Sequence, residues 1–394
     1  MIFETLPALG ESTAGLDPTR VVDNRVYYDP TVFRREADRI FARCWQLVCH
    51  ESEVAKPGDY FTTVIAESPI VVIRGKDRVV RAFYNTCRHR GAMIVAGECG
   101  QASSLRCPYH FWVYSLEGEL IGVPGEEAYE GSGFVKERFP LVPLHCDVKL
   151  GLVFVNPDPG PVDSLEAWLG PAVIETLSVP LDNATFEVAK VRRAELPVNW
   201  KIWAENARDG YHVPFVHPFF RTASPPGSYR LVENGHAIQG LGMSRDGMEP
   251  QLWDDLQRDR LPGLSENDGY IVTLFPDATI MVRSNFISID LQHVHGVKSL
   301  LFEGRLLTIA GDPEDVRARR ALGQATWLWD PLEAEDFPIF DTQQRGVETR
   351  GVRYSVIARG PDAQTGTRGD DNRLRHFWSQ WRAMMGEERN AASD

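Results

Sequence analysis

Apolar residues recur at helical spacing between positions 30 and 44, where charged residues separate them. The apolar positions are Phe33, Ala37, Ile40 and Phe41. From residue 45 to about residue 159 the pattern changes to short apolar and β-branched runs, broken by proline, glycine and aspartate. This pattern therefore predicts one helix and then a small all-β domain, with strands at 60–65, 70–74, 79–84 and 151–155.

Helical and strand patterns are mixed after a stiff Pro-Asp-Pro-Gly-Pro segment at 157–161. Strands of an antiparallel sheet are predicted at 270–274, 279–283, 286–291 and 299–307. A helix is predicted to begin at Asp312, with Asp312 as N-cap and Pro313 at the first helical position.

A last helix is predicted near the C-terminus, before a frayed polar tail from Gly386. Its apolar stripe, which we interpret as core or subunit-interface packing, is Leu374, Phe377, Trp378, Trp381, Met384 and Met385. The expected fold class is α+β, with an all-β domain at 45–160 and a second domain formed by 1–44 and 161–394.

The composition narrows the class of protein. The 394 residues have a net charge of -13, which argues against a nucleic-acid or anionic-membrane partner. No apolar run approaches the length of a membrane span, and no secretory signal is evident, so a cytoplasmic location is expected. Six cysteines are present without a disulfide pattern, and those outside the motif below are expected to be free buried thiols. They are Cys44, Cys49, Cys99 and Cys146.

Two cysteine–histidine pairs lie in the predicted β domain. They are Cys87-Arg88-His89 and Cys107-Pro108-Tyr109-His110, and seventeen residues separate His89 from Cys107. A Cys₂His₂ set can also hold structural zinc, but zinc fingers place both cysteines before both histidines, whereas the order here alternates. The pattern favours a Rieske-type [2Fe–2S] centre, in which two thiolates hold one iron and two imidazoles hold the other.

A second group of metal-ligand residues follows in the mixed region. If the segment is helical, Glu205, Asp209 and His212 fall at i, i+4 and i+7 and share a face, and His217 comes five positions later. Two imidazoles and one carboxylate form the facial triad of non-haem Fe(II) oxygenases. Two unrelated histidines near a helix end are the alternative. The third ligand would be an acid of a later segment that contains Asp330, Glu333, Glu335, Asp336 and Asp341, and spacing alone does not choose among them.

Both regions resemble one family, the aromatic-ring-hydroxylating Rieske oxygenases. The stretches Cys-Arg-His-Arg-Gly-Ala and Cys-Pro-Tyr-His-Phe-Trp-Val-Tyr are similar to its Rieske domain, except that Phe111 stands where the family usually has glycine. The stretch from Asn-Trp-Lys through Glu-Asn, Asp and Tyr-His to the second histidine is similar to its mononuclear-iron motif.

The resemblance implies roles for individual residues. Cys87, His89, Cys107 and His110 would hold the cluster, and His212 and His217 would hold the iron. The segment from Glu335 to Gln344-Arg345-Gly346 resembles the family's stretch with the third ligand, which implies Asp336, with Glu335 as second choice. Asp209 would join the two metal centres, and Asn206 would lie close to the iron.

The resemblance also implies partners. The chain would form a ring-shaped homotrimer, in which His110 of one subunit communicates with His212 of the next through Asp209, with or without a small β subunit. No glycine-rich dinucleotide motif follows a strand, so NAD(P)H-derived electrons would come from a separate flavin reductase, a ferredoxin or both.

The expected function is that of a terminal oxygenase that uses O₂ to hydroxylate a small aromatic substrate. Oxidative N- or O-demethylation on the same machinery is the alternative, and a Rieske electron carrier is a third possibility. Substrate-pocket candidates on the predicted strands are Phe275, Met281, Phe286 and Ile289, each of which can equally be core.

Overall fold

The computed structural model describes residues 21–65, 67–218, 220, 228–241, 245, 250–266, 268–357 and 371–386. The polar tail predicted after Gly386 lies outside these ranges. The chain divides into two compact units, one formed by Ala42–Leu165 and the other by Met1–Phe41 with Glu166–Asp394.

The strands of the described ranges follow one another in chain order. They are β1 (Val21–Asp23), β2 (Gln46–His50), β3 (Asp59–Ile65), β4 (Ser68–Arg74), β5 (Val80–Tyr84), β6 (Cys99–Gln101), β7 (Leu105–Arg106), β8 (Val113–Tyr114), β9 (Leu120–Gly122), β10 (Pro143–Lys149), β11 (Leu152–Asn156), β12 (Phe186–Leu196), β13 (Tyr229–Leu231), β14 (Ala237–Gly240), β15 (Tyr270–Leu274), β16 (Ala278–Arg283), β17 (Phe286–Gly296), β18 (Ser299–Ile309) and β19 (Tyr354–Val356).

Helices occur mainly in the discontinuous unit. The α-helices are α1 (Pro30–Glu36), α2 (Leu165–Leu181), α3 (Trp200–Asn206), α4 (Val213–Val216), α5 (Pro250–Gln257), α6 (Glu314–Gln324), α7 (Phe337–Val347) and α8 (Asn372–Met385). Wider π-type turns at Ala37–Phe41, Ala325–Trp329 and Leu332–Asp336 continue or precede them. No helix of the described ranges has the length and apolar content needed to cross a bilayer.

The unit Ala42–Leu165 is an all-β structure. Its larger sheet has the order β2-β11-β10-β5-β4-β3-β6, and a smaller one has the order β7-β8-β9. The runs predicted at 60–65, 70–74, 79–84 and 151–155 are all strands, displaced by at most two residues. β4 and β5 are held in antiparallel register, and the two cluster motifs lie on the loops that follow β5 and β7.

The discontinuous unit is built on a seven-stranded antiparallel sheet with the order β12-β18-β17-β16-β15-β14-β13. Every residue of β16 is buried, as are the first nine of β17, so both faces of the sheet centre are covered. This arrangement confirms the α+β class and the four strands predicted in this region. β17 and β18 are longer than predicted because each pairs with the other through a tight turn at Val297 and Lys298.

Two predicted details of the helices are wrong or incomplete. Pro313, not Asp312, is the N-cap of α6, since its ψ of 157° is extended, and Asp312 instead accepts a hydrogen bond of 2.7 Å from Arg320. The apolar stripe of α8 is buried as predicted, except that Met384 is only half-buried. None of the six cysteines forms a disulfide, but Cys99 is exposed and Cys146 half-buried, contrary to the expected burial.

A buried ion pair joins the N-terminal helix to the rest of this unit. Glu36 of α1 contacts Lys201 of α3 at 2.7 Å, and both side chains are fully buried. The indole groups of Trp200 and Trp381 donate to the same carboxylate at 3.0 and 2.8 Å. The Asn-Trp-Lys stretch therefore has a structural role, because Asn199 caps α3 and the next two side chains bind Glu36.

Candidate cluster and metal sites

The two cysteine–histidine motifs form loops with matching backbone geometry. The N–H of Gly91 donates to the carbonyl of Cys87 at 3.0 Å, and the N–H of Phe111 donates to that of Cys107 at 3.1 Å. The N–H of Cys87 donates to the carbonyl of Ala92 at 2.8 Å, and the N–H of Cys107 donates to that of Trp112 at 2.9 Å. The residue four positions after each cysteine has positive φ, 74° at Gly91 and 57° at Phe111.

Phe111 therefore occupies a backbone position that favours glycine. A side chain in the left-handed region brings Cβ close to the following carbonyl, at a cost of roughly 1–2 kcal/mol. The ring of Phe111 is 53 % exposed and lies 5.9 Å from the Arg106 guanidinium. The departure from the family pattern leaves the loop geometry intact at a local conformational cost.

The four ligand-type side chains converge between the loops. Cys87 and Cys107 are buried and within hydrogen-bond reach of each other. The imidazole rings of His89 and His110 lie 4.5 Å apart, on the more exposed side. Burial raises the pKa of the Cys87 thiol, and the hydroxyl of Tyr114 lies 3.4 Å from its sulfur. The structure thus brings all four predicted residues together.

His212, His217 and Asp336 form a second convergent group. Their ligand atoms all lie within 4.8 Å of one another. Nε2 of His212 is 3.8 Å from one oxygen of Asp336, and Nε2 of His217 is 3.4 Å from the other. Asp336 is buried, which raises its pKa, although the two histidines and a hydrogen bond from Asn206 act in the opposite direction.

A carboxylate holds the outer nitrogen of each histidine. Nδ1 of His212 lies 3.1 Å from Asp209, and Nδ1 of His217 lies 2.6 Å from Glu335. Burial raises the pKa of Asp209, but hydrogen bonds from His212 and from the Tyr211 N–H outweigh it, so the net shift is downward. Both Nε2 atoms are thereby directed towards Asp336, an arrangement typical of metal-binding histidines with acidic second partners.

The helical face predicted for Glu205, Asp209 and His212 is wrong. α3 ends at Asn206, and Asp209 and His212 lie on the turn that follows. Glu205 is directed into the core, where it accepts hydrogen bonds from Tyr27 at 2.7 Å and from Trp378 at 2.9 Å. Burial raises its pKa to about 7. Asp209 and His212 still meet because the turn, rather than helical periodicity, brings them together.

The other acids of the later segment lie outside the group. Asp330 is exposed and lies 3.5 Å from Arg192, Asp341 pairs with Arg345, and Glu333 is exposed. Glu335, the second choice for third ligand, binds the outer nitrogen of His217 instead.

A cavity of about 120 Å³ adjoins the three residues of this group. Asn206, Trp203, Phe220, Trp327 and Leu332 line its helical side. Of the four pocket candidates, Met281 lines the cavity and the other three are core residues. Phe275 packs on Phe377, and the side chain of Ile289 is on the opposite face of β17 from the cavity residue Asp290.

Sequence reasoning missed two charged residues of this cavity, Arg283 on β16 and Asp290 on β17. Both are buried. An acid in the mainly apolar run Phe-Ile-Ser-Ile-Asp-Leu is a pattern that can identify Asp290, because buried acids are rare in strands without a partner or a role.

Comparison with known proteins assigns the family. Residues 44–140 match the Rieske [2Fe-2S] domain, and residues 183–387 match the catalytic domain of the ring hydroxylating alpha subunit. The chain belongs to the ring-hydroxylating Rieske oxygenases. It is accordingly an oxidoreductase of the dioxygenase and monooxygenase type, and its cofactors are a Rieske [2Fe–2S] cluster and a mononuclear iron, as predicted.

Full-length relatives include both reaction types. The alpha subunit of 2-aminobenzenesulfonate 2,3-dioxygenase from Alcaligenes sp is 35% identical, with 94% of this chain and 95% of the relative covered. An alpha subunit of terephthalate 1,2-dioxygenase from Comamonas sp is 30% identical, with 93% and 95% covered. The oxygenase subunit of carnitine monooxygenase from Escherichia coli is 27% identical, with 84% of each covered.

Solved structures share the architecture over nearly the whole chain. A quaternary ammonium Rieske monooxygenase superposes with a TM-score of 0.76 at 26% identity, covering 93% of this chain and 95% of that one. Naphthalene 1,2-dioxygenase from Rhodococcus sp. gives a TM-score of 0.77 at 24% identity, with 93% and 94% covered, and shows the fold alone.

The residues present fit the two groups. Two thiols and two imidazoles suit a Rieske cluster, and Nδ1 of His89 is a buried nitrogen without a hydrogen-bond partner in the described part of the chain. Two imidazoles and one carboxylate, arranged around a common point beside a cavity, suit a non-haem iron with open positions.

Proposed function

We propose that this protein is the terminal oxygenase component of a multicomponent system that hydroxylates an aromatic substrate. The observation that supports this most directly is the convergence of His212, His217 and Asp336 beside a largely apolar cavity. A small organic molecule in that cavity would lie against the metal group. The dioxygenase relatives, which cover nearly the whole chain, support ring hydroxylation.

We propose that Cys87, His89, Cys107 and His110 hold the cluster, in a domain spanning 45–160. His212, His217 and Asp336 hold the iron, in a domain formed by 1–44 and 161–394. When bound, the iron supplies activation of dioxygen with electrons that the cluster stores. The asymmetric environment supports this assignment, since the thiols are buried and the imidazoles more exposed.

The protein's own residues prepare the iron site. Asp209 and Glu335 accept from the Nδ1–H groups of the two histidines and so fix the tautomer that leaves both Nε2 atoms free as ligands. The Asn206 side chain lies beside Asp336 and favours the charged form of that carboxylate. Trp203, Phe220 and Trp327 exclude water from the cavity and present flat surfaces to a ring.

The assembly is a homotrimer in this proposal, in which His110 of one subunit communicates with His212 of the next through Asp209. The position of Asp209 supports it, because the carboxylate already binds His212 and is still one-quarter exposed. A related quaternary ammonium monooxygenase structure is described as informing on inter-subunit electron transfer. Electrons would come from a flavin reductase, a ferredoxin or both, and a small β subunit would be compatible with this assembly.

A substrate screen tests the proposal. Purified holoprotein, a surrogate reductase, NADH and O₂ are incubated with a panel of arenes, and oxygenated products are measured rather than NADH loss, because uncoupled oxygen use would mislead. We expect product with incorporated ¹⁸O from ¹⁸O₂. The His212→Ala variant, which should lose mononuclear iron but keep the cluster absorption, is the control. Absence of product from every arene, with both metals bound, would contradict the proposal.

The same screen distinguishes the alternative of oxidative N- or O-demethylation, a monooxygenase reaction, and the likeness to monooxygenases supports that reaction type. Methylamines and methoxyarenes are included, and formaldehyde is measured. Formaldehyde without ring-hydroxylated product would assign the protein to demethylation. About three irons per chain would exclude a carrier that holds only the cluster, for which about two are expected.

A further inference from the structure

Charged side chains occur in the cavity on the side formed by the sheet. Thr279, Met281 and Arg283 of β16 alternate along the strand and share one face, and all three line the cavity. Asp290 of β17 is the register partner of Thr279. Arg283 lies four residues after Thr279 on β16, so the backbone positions of Thr279 and Arg283 are roughly 13 Å apart. A positive and a negative group thus lie at two ends of one cavity surface.

Asp290 has a buried oxygen without a hydrogen-bond partner in the described part of the chain. Its residue is fully buried, and Oδ1 accepts a hydrogen bond of 2.8 Å from Ser288, whose own oxygen accepts one of 2.9 Å from Gln324. Oδ2 is buried and has no hydrogen-bond partner within the described ranges. Burial raises the pKa of this carboxyl to about 7. A buried acid that lacks a partner is costly, so a hydrogen-bond donor on a bound molecule would stabilise it.

Arg283 stands at the end of a row of aromatic rings that begins at the iron site. The rings of His217 and Phe220 are 5.6 Å apart, and Phe220 stacks on Trp327 at 5.5 Å with 23° between the planes. The guanidinium of Arg283 lies 4.3 Å from the Trp327 ring centre. A planar molecule stacked along this row would have one edge near the iron ligands and another near a permanent positive charge.

We propose, on the basis of the proposed function, that the substrate is an arene with an anionic substituent bound by Arg283 and an N–H or O–H substituent bound by Asp290. The shared chemistry of the anion is a carboxylate or a sulfonate, both of which match the two-pronged guanidinium geometry. The two substituents are not interchangeable, because Arg283 carries a permanent positive charge whereas burial disfavours any added negative charge beside Asp290. Together the two residues fix the orientation of the ring on the Phe220–Trp327 surface.

Binding measured without turnover tests this inference. Anaerobic holoprotein is titrated by calorimetry with benzoate, the three aminobenzoates, the three aminobenzenesulfonates, aniline and toluene. At least one aminobenzoate or aminobenzenesulfonate should bind more tightly than benzoate, aniline or toluene, and the two series separate a carboxylate site from a sulfonate site. Toluene binding as tightly as every anionic arene would overturn the inference.

Variants assign the contacts. Arg283→Met should weaken binding of the anionic arenes roughly 10- to 100-fold and leave aniline unchanged, as expected for loss of a charged hydrogen bond. Arg283→Lys should restore part of this affinity. Asp290→Asn should remove the preference for the amino compound over benzoate. The control is Arg192→Met, since Arg192 also stacks on a tryptophan, Trp329 at 5.5 Å, but does not line the cavity.

Equal effects of the Arg283 and Arg192 variants, or a lysine variant no better than methionine, would overturn the assignment of Arg283. If Arg283→Met does not retain the cluster absorption of the folded protein, Arg283→Lys is compared with the parent protein instead. An unchanged affinity of Arg283→Lys for anionic arenes, together with toluene binding as tight as theirs, would then contradict the inference. Anion binding that depends on Arg283, without oxygenated product from any compound, would refute the proposed function but leave the anion-binding role of Arg283 standing. Oxygenation of neutral arenes alone would support the proposed function and refute this inference about the substrate.

Discussion

His217 and Glu335 are joined by a short contact of 2.6 Å between Nδ1 and Oε2, while the other ring nitrogen is directed towards Asp336. Neighbouring acids of one segment therefore act on the same imidazole from opposite sides. One has the position of a ligand, and the other fixes the orientation of the ring.

The first prediction concerns that division of roles. Glu335→Gln should keep the shape of the contact but remove its charge, and so weaken iron binding by roughly 10- to 100-fold. Iron content after dialysis against graded chelator measures the effect. Glu333→Gln, an exposed acid in the same segment, is the matched control. Complete loss of iron from Glu335→Gln at every chelator concentration would indicate that Glu335 is itself a ligand.

The second prediction concerns Asp209, whose carboxylate binds His212 at 3.1 Å. Asp209→Ala should keep the cluster and, at saturating Fe(II), the iron, but lose turnover, because electron delivery to the iron site requires this acid in the proposed assembly. Oxidation of the pre-reduced cluster in a single turnover with substrate and O₂, followed by absorption, together with metal analysis, separates electron transfer from metal loss. Product formation coupled normally to NADH use in this variant would contradict the role.

The third prediction concerns the buried pair of Glu36 and Lys201. Glu36→Gln leaves an uncompensated ammonium in the core, and the loss should be about 3–5 kcal/mol of unfolding free energy. Burial already lowers the pKa of Lys201. Differential scanning calorimetry of the full chain measures the shift. Asp341→Asn, which breaks an exposed pair with Arg345, should leave the transition nearly unchanged. Equal shifts in both variants would show that burial of the Glu36 pair is not the cause.

The fourth prediction uses the two loops with matching geometry. Phe111→Gly removes a side chain from a backbone position with φ of 57° and should raise stability by roughly 0.5–1 kcal/mol, after the entropy of glycine is subtracted. Gly91→Ala should do the opposite by a similar amount, roughly 0.5–1 kcal/mol after the same correction for glycine entropy, since an added Cβ there meets no atom within 4 Å and the cost is conformational. The temperature at which cluster absorption is lost measures both. A destabilising effect of Phe111→Gly would mean that contacts of the ring outweigh the backbone strain.

The sequence predicted those features that depend on neighbouring residues. The cluster motifs are local, so two loops of known spacing were sufficient to bring Cys87, His89, Cys107 and His110 together. Strands with clear apolar runs, such as Tyr270–Leu274, were predicted to the residue. Helical periodicity failed at Asp209 because it assumes a continuous helix, and α3 ends three residues earlier.

Features that depend on distant pairing were harder to predict. Glu335 and Asp336 are adjacent in sequence, so spacing does not choose between them, and the fold shows that Asp336 is directed at the Nε2 atoms of the histidines. Arg283 and Asp290 become parts of one cavity because of the register of β16 on β17 and the position of Trp327 above them. No short window of sequence contains that information.

The burial of Glu36 has a consequence for synthesis of the protein. The Glu36 carboxylate has three partners, Trp200, Lys201 and Trp381. Because Trp381 lies near the C-terminus, the carboxylate can be buried with all three only after almost the whole chain has been made. The unit Ala42–Leu165 is continuous and can complete its sheets much earlier during translation. The Glu36 carboxylate of α1 therefore stays hydrated while the unit Ala42–Leu165 forms. A chain that stops short of Trp381 would lack one of the hydrogen bonds that stabilise the buried Glu36 carboxylate.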